Sequence, residues 1–153
     1  MVQQKDIYMK YINLFFMSLL SYISMFILMY IMVDIYANVY LNLNQLYMAG
    51  IMTLPMILIE LFLMRSMYTN KKFNILIIIT CCALFIVLTF CIRKQTAIYD
   101  KEFLKSMIPH HAAALLMCNN VHLQDPEIKE LCSNISRSQQ SEINFMKEKL
   151  ATM

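Results

Sequence analysis

The sequence predicts an all-helical membrane protein, and three observations lead there. Uncharged apolar stretches run from Tyr11 to Val33, from Ile35 to Ile59 and from Phe73 to Ile92, and each reaches or passes the roughly 20 residues a helix needs to cross about 30 Å of hydrocarbon. Hydrophobic residues make up 59% of the 153 positions and charged residues 15%, a balance outside that of soluble domains. One glycine and three prolines leave little material for the tight turns of a β architecture.

Taken in order, the first element is a transmembrane helix over about 11–36, too long for a signal-peptide core and without a small-residue cleavage site, so it is expected to be retained. A second span is expected over about 45–67 and a third over about 73–92, giving a membrane domain of residues 1–95 and a tail of residues 96–153. Seven Lys/Arg against three Asp/Glu lie in residues 1–95, and six against seven in residues 96–153, so the net charge of +3 belongs to the membrane half. That excess reports orientation, and no nucleic-acid-binding patch is visible.

Lys5 and Lys10 precede the first span and Arg65, Lys71 and Lys72 join the second to the third, whereas residues 37–45 carry no Lys or Arg. The positive-inside rule then puts the N-terminus in the cytoplasm and the tail outside, against the smaller vote of Arg93 and Lys94. In a bacterium that means an inner-membrane protein with a periplasmic tail.

Within the tail, an amphipathic helix is expected from about Asp100 to Cys118, with Phe103, Met107, His111, Ala114 and Cys118 on one face. Asp125-Pro126-Glu127 opens a second helix, with an Asp cap, proline in the first helical position and acid in the first turn. Its stripe is Ile128, Leu131, Ile135, Ile143, Met146 and Leu150. The short connection between the two favours an antiparallel hairpin. One hairpin buries little surface by itself, so it either docks on its own membrane domain or pairs with a second copy into a four-helix bundle. The homodimer is the preferred reading.

All three histidines lie in the tail, and two of them, His110 and His111, follow Pro109 directly. In a helix interior Pro109 would leave the carbonyl of Lys105 without its usual donor and re-aim the histidines. Met107 lies one turn before the pair, Met117 seven residues after His110, and Cys118 seven after His111. Antiparallel packing would bring Gln139, Glu142 and Met146 opposite. Imidazoles with thioethers suit a soft transition metal, copper and above all Cu(I), with zinc as the alternative through the histidines and Glu142. Met107, His110, His111 and Met117 are therefore the first-choice ligands, with Cys118, Glu142 and Met146 behind them. The bland alternative is an ordinary interhelical polar contact.

The pattern F-x-x-x-M-I-P-H-H-x-x-A-x-x-M at Phe103–Met117, then D-P-E-I at Asp125–Ile128 and I-x-x-x-Q-x-x-E-I-x-x-M from Ile135 to Met146, resembles the domain of unknown function 305 family. The resemblance implies a ferritin-like helical fold and, for some members, copper binding in the bacterial periplasm. The membrane half resembles the small membrane-anchored members.

Other residues carry less. Methionines at Met25, Met29 and Met32 and at Met48, Met52 and Met56 line helix faces, either as flexible filler or as a thioether path, with filler the preferred reading. Cys118 and Cys132 flank the connection between the tail helices and, on an oxidising side, could close a disulfide, with metal ligation as the rival. Glu60 can snorkel toward the cytoplasmic face beside Arg65. No Glu-x-x-His, nucleophile triad or glycine-rich phosphate loop is present, so no enzymatic activity and no small-molecule substrate is assigned. The two function classes in play are a metal-sequestering membrane protein and a structural or oligomerisation module; the first is preferred.

Overall fold

The computed structural model describes residues 2–153, with side chains from Tyr8 onward. Five α-helices and no strand occur among the described residues: α1 (Val2–Leu28), α2 (Leu43–Leu63), α3 (Lys71–Lys94), α4 (Asp100–Asn120) and α5 (Pro126–Ala151), with short 3-10 turns at Met29–Met32 and Tyr36–Asn38. Three segments, Tyr8–Met32, Leu43–Leu63 and Lys71–Lys94, are long and apolar enough to cross a membrane. The chain is a membrane protein by this measure.

Two compact units are present. The first joins the stretch ending at Leu28 to residues 46–96. Its helices approach closely at Gly50, the one glycine, where a Cβ would stand 2.6 Å from Leu88 Cδ1 and 3.9 Å from Tyr22 Cε2. Ala49, Gly50 and Thr53 are buried together on α2, and Thr53 spends its hydroxyl on the Ala49 carbonyl at 2.8 Å. Small residues on one face are what membrane helices use to gain packing contact where lipid supplies no hydrophobic drive. At the other end of the unit Leu14, Leu61 and Tyr68 form a second buried cluster, and the Tyr11 hydroxyl donates to Asn74 Oδ1 at 2.6 Å. Asn70 caps α3 by accepting the Phe73 N–H at 3.2 Å. α3 ends at Gln95 in the left-handed conformation, φ 51°, with Arg93 and Lys94 in its last turn complementing the helix dipole. Glu60 accepts from the Tyr68 hydroxyl at 3.4 Å and makes no ion pair with Arg65 among the described residues.

The second unit joins residues 29–45 to residues 97–153. α4 and α5 pack on each other. Leu104, Ile108, Ala112 and Leu115, at helical spacing on α4, meet Ile143 and Met146 of α5 in one buried cluster. Full burial of an aliphatic side chain contributes about 1.5–3 kcal/mol, so this small cluster is the main source of cohesion in the pair. A disulfide joins Cys118 to Cys132, 5.4 Å apart at Cα and 14 residues apart in sequence; closing a loop of that size contributes about 3 kcal/mol by the chain-entropy estimate. Asp125 caps α5, accepting from the Glu127 and Ile128 N–H groups at 2.8 and 3.1 Å.

One element differs from expectation. The sequence predicts a first span that runs as helix to about residue 36 and a second that starts at about 45, whereas α1 ends at Leu28 and α2 starts at Leu43. The reason lies in polar side chains that offer the backbone another partner. Asp34 Oδ1 accepts from the Ile35 N–H at 2.7 Å and from Asn38 Nδ2 at 2.6 Å, and the Tyr30 hydroxyl donates to the Tyr40 carbonyl at 2.8 Å. Asn42 and Gln45 form a reciprocal cap, Asn42 Oδ1 taking the Gln45 N–H at 3.0 Å and Asn42 Nδ2 giving to Gln45 Oε1 at 2.8 Å. The turn-rich segment so formed sets Val33 and Tyr40 against the α4–α5 cluster.

Candidate functional site

α4 carries the histidine pair in its interior, with Pro109 buried immediately before it. Proline there removes the N–H that would have bonded the Lys105 carbonyl. Asn42 Nδ2 lies 3.5 Å from that oxygen, a weak replacement that comes from the 29–45 segment. Lys105 also pairs with Glu102 at 2.8 Å, and the second Glu102 oxygen accepts the Leu43 N–H, in the first turn of α2, at 3.2 Å. An acid at a helix start answers free N–H groups and the positive end of the dipole. The Glu102 carboxyl is accordingly held below the usual carboxylate range, first by Lys105, with burial opposing and the Leu43 N–H assisting.

The two imidazoles leave α4 about 100° apart, as successive helical residues must, and their ring centres are 6.0 Å apart. His110 is exposed, whereas His111 is 9% exposed. Glu142 of α5 brings Oε2 within 3.2 Å of His111 Nδ1. That approach has the distance of an ion pair and lacks the direction of a hydrogen bond, because Nδ1 is buried without a hydrogen-bond partner. Glu142 is itself held by Ser138, whose hydroxyl donates to Oε1 at 2.8 Å. Burial pushes the His111 pKa down, the Glu142 charge opposes this, and His110 adds to it. A neutral imidazole with an uncommitted nitrogen is the protonation state a metal ligand requires.

The expected ligands divide between two faces. His111 is buried, Met146 is 6% exposed in the cluster, Met107 packs against that cluster, and Glu142 reaches in from its edge. His110 is exposed, as is Met117 at 53%. A single ligand face holding Met107, His110, His111 and Met117 is therefore not what the helix presents, because position 111 turns inward and positions 110 and 117 turn out. Cys118 is corrected as a ligand, since its sulfur is bonded to Cys132 and offers no thiolate. Among the described residues no three His, Cys, Asp or Glu side chains gather as a metal cluster. One imidazole, one carboxylate and two thioethers remain as donors at the α4–α5 contact, a set whose softness suits Cu(I) better than a hard cation.

Asn42 and Glu102, which tie the 29–45 segment to α4, are not singled out by sequence reasoning. The available signals were the cap pattern Asn42-x-x-Gln45 and the carbonyl that Pro109 frees. The disulfide borders an open hollow of about 680 Å³ together with His122 and Lys129.

Comparison with known proteins bears on both halves of the chain. The pattern of the Domain of unknown function (DUF305) family matches residues 92–152, which include all of α4 and α5 up to its last residue. An uncharacterized protein of Acanthamoeba polyphaga mimivirus is 37% identical over 137 residues, covering 85% of this chain and 88% of that protein, so the likeness extends into the membrane spans. No solved structure matches the chain. With the family pattern over the tail and a relative matching along most of its length, the chain belongs to the Domain of unknown function (DUF305) family.

Proposed function

We propose that this protein is a membrane-anchored metal-binding protein whose α4–α5 pair takes up a soft transition metal, copper as Cu(I) first and zinc second, for sequestration or tolerance. The observation that carries the reading is His111: a buried imidazole, its Nδ1 without a hydrogen bond, beside Glu142, at the same helix pair whose buried cluster contains Met146 and is packed by Met107. A buried polar atom without a partner costs about 1–3 kcal/mol, and a bound metal would remove that cost. His111 and Glu142 would hold the ion, and Met107 and Met146 would supply soft donors. Bound there, Cu(I) would be kept from water by the apolar cluster.

The exposed His110 and Met117 enter through the second part of the proposal. Two α4–α5 pairs join as a homodimer, each a ferritin-like antiparallel half-bundle, and the outward donors of one copy face the other. The charge pattern supports a cytoplasmic N-terminus and an external tail, and a disulfide suits the oxidising periplasm of a bacterial inner-membrane protein.

The test is competition between a Cu(I) chelator and the full-length protein in detergent, beside its His110→Ala/His111→Ala variant. At least tenfold weaker retention of copper by the variant is expected. Equal, weak binding by both overturns the reading and favours the alternative, a structural oligomerisation module. The close His111–Glu142 approach, an interhelical polar contact in its own right, supports that alternative, which expects cross-linked dimers unchanged by chelator and lost in the double variant.

A further inference from the structure

The membrane-spanning unit contains a cleft of about 1060 Å³ bordered by α1, α2 and α3, and we propose that it binds an anionic phospholipid, acyl chains in the cleft and phosphate at its basic rim. The floor includes Leu14, Leu54 and Cys81, all buried, so the feature is a recess and not merely the lipid-facing skin of three helices. Hydrocarbon holds no water to fill such a recess. Its volume lies just above the roughly 300–1,000 Å³ usual for small-molecule clefts.

The recess is amphipathic along its length. Tyr8, Tyr11, Thr69 and Asn70 line it where the start of α1 meets the start of α3, a meeting secured by the Tyr11–Asn74 hydrogen bond at 2.6 Å. Deeper along the cleft only Ser18 and Thr80 are polar, and the Ser18 hydroxyl is committed to the Leu14 carbonyl at 2.7 Å. Beside the polar end Lys71 and Lys72 form the first turn of α3, where the helix dipole disfavours cations, and Lys10 lies on the first helix between Tyr8 and Tyr11. Neither these lysines nor Arg65 pairs with an acid among the described residues.

This charge selects the occupant. A second copy of the chain would bring its own Lys10, Arg65, Lys71 and Lys72 to that end, against Glu60 as the acid nearby among the described residues, setting like charges together. An anionic headgroup answers the cations while its chains fill the recess, the arrangement by which basic sites between spans recruit acidic lipids.

The experiment uses the full-length protein in neutral detergent, offered phosphatidylglycerol or phosphatidylcholine and read by native mass spectrometry and thermal unfolding. Wild type is expected to retain phosphatidylglycerol preferentially and to melt higher with it. The Lys71→Gln/Lys72→Gln variant, altered only at exposed positions, should retain it roughly thirtyfold less, about 2 kcal/mol at about 1.4 kcal/mol per tenfold. Thr80→Phe, which fills the recess without touching the rim, should also lose the lipid while keeping the wild-type helical spectrum. Equal retention of the two lipids by wild type, or undiminished phosphatidylglycerol binding in the lysine variant, overturns the proposal.

Discussion

His111 shows how one side chain acquires its properties from position. It lies next to His110 in sequence, yet helical geometry turns it inward, and burial lowers its pKa from the ordinary value near 6.5. The unfolded chain therefore binds more protons than the folded one between the depressed value and the ordinary one. Stability must then rise with pH across that interval. In chelator-treated protein the thermal midpoint is expected to fall as pH drops from 7 through 6 and to level off once the buried ring protonates. His111→Phe should flatten this step while His110→Ala leaves it in place, as circular-dichroism melts across pH would show. A step of the same size in His111→Phe would contradict the assignment.

At the scale of elements, the connection between α4 and the segment 29–45 depends on a carbonyl that Pro109 sets free. Asn42 both caps α2 and reaches Lys105 O. Asn42→Ala is expected to cost about 0.5–2 kcal/mol as a lost cap, with a further contribution from the exposed carbonyl. In a Pro109→Ala background the helix can satisfy that carbonyl itself, so the Asn42→Ala cost should shrink. A double-mutant cycle by denaturant unfolding should give a coupling of about 0.5 kcal/mol or more, and strict additivity would rule out the link. The weak 3.5 Å geometry is why the expected coupling sits at the low end. Helix starts such as Asp125-Pro126 were legible because capping is local: the Asp125 carboxylate needs only the next three residues. The end of α1 was not, because the apolar run continues past Leu28 and only Asp34, Asn38 and Tyr40 together turn the chain aside.

For the whole molecule, the basic residues ahead of the third span concentrate near the start of α1 and from the end of α2 to the first turn of α3, so orientation can be tested without reference to the site. An alkaline phosphatase fused after Met153 is expected to be active when the chain is expressed in a bacterium, and a fluorescent protein that folds only in the cytoplasm is expected to be dark there. The reverse pair would invert the proposed topology and remove the oxidising surroundings of the Cys118–Cys132 bond. The three spans were readable from composition, because in lipid a long uncharged helix satisfies its backbone by itself and needs no partner to be recognised. The inward turn of His111, the outward turn of His110 and Met117, and the grouping of residues 29–45 with the tail came only from the packed structure. Each depends on which distant surface is available to cover a side chain: Ile143 and Met146 across from α4, and the Lys105 carbonyl within reach of Asn42. A periodic pattern states that one face will be buried, and the neighbour it meets determines where that face begins and ends.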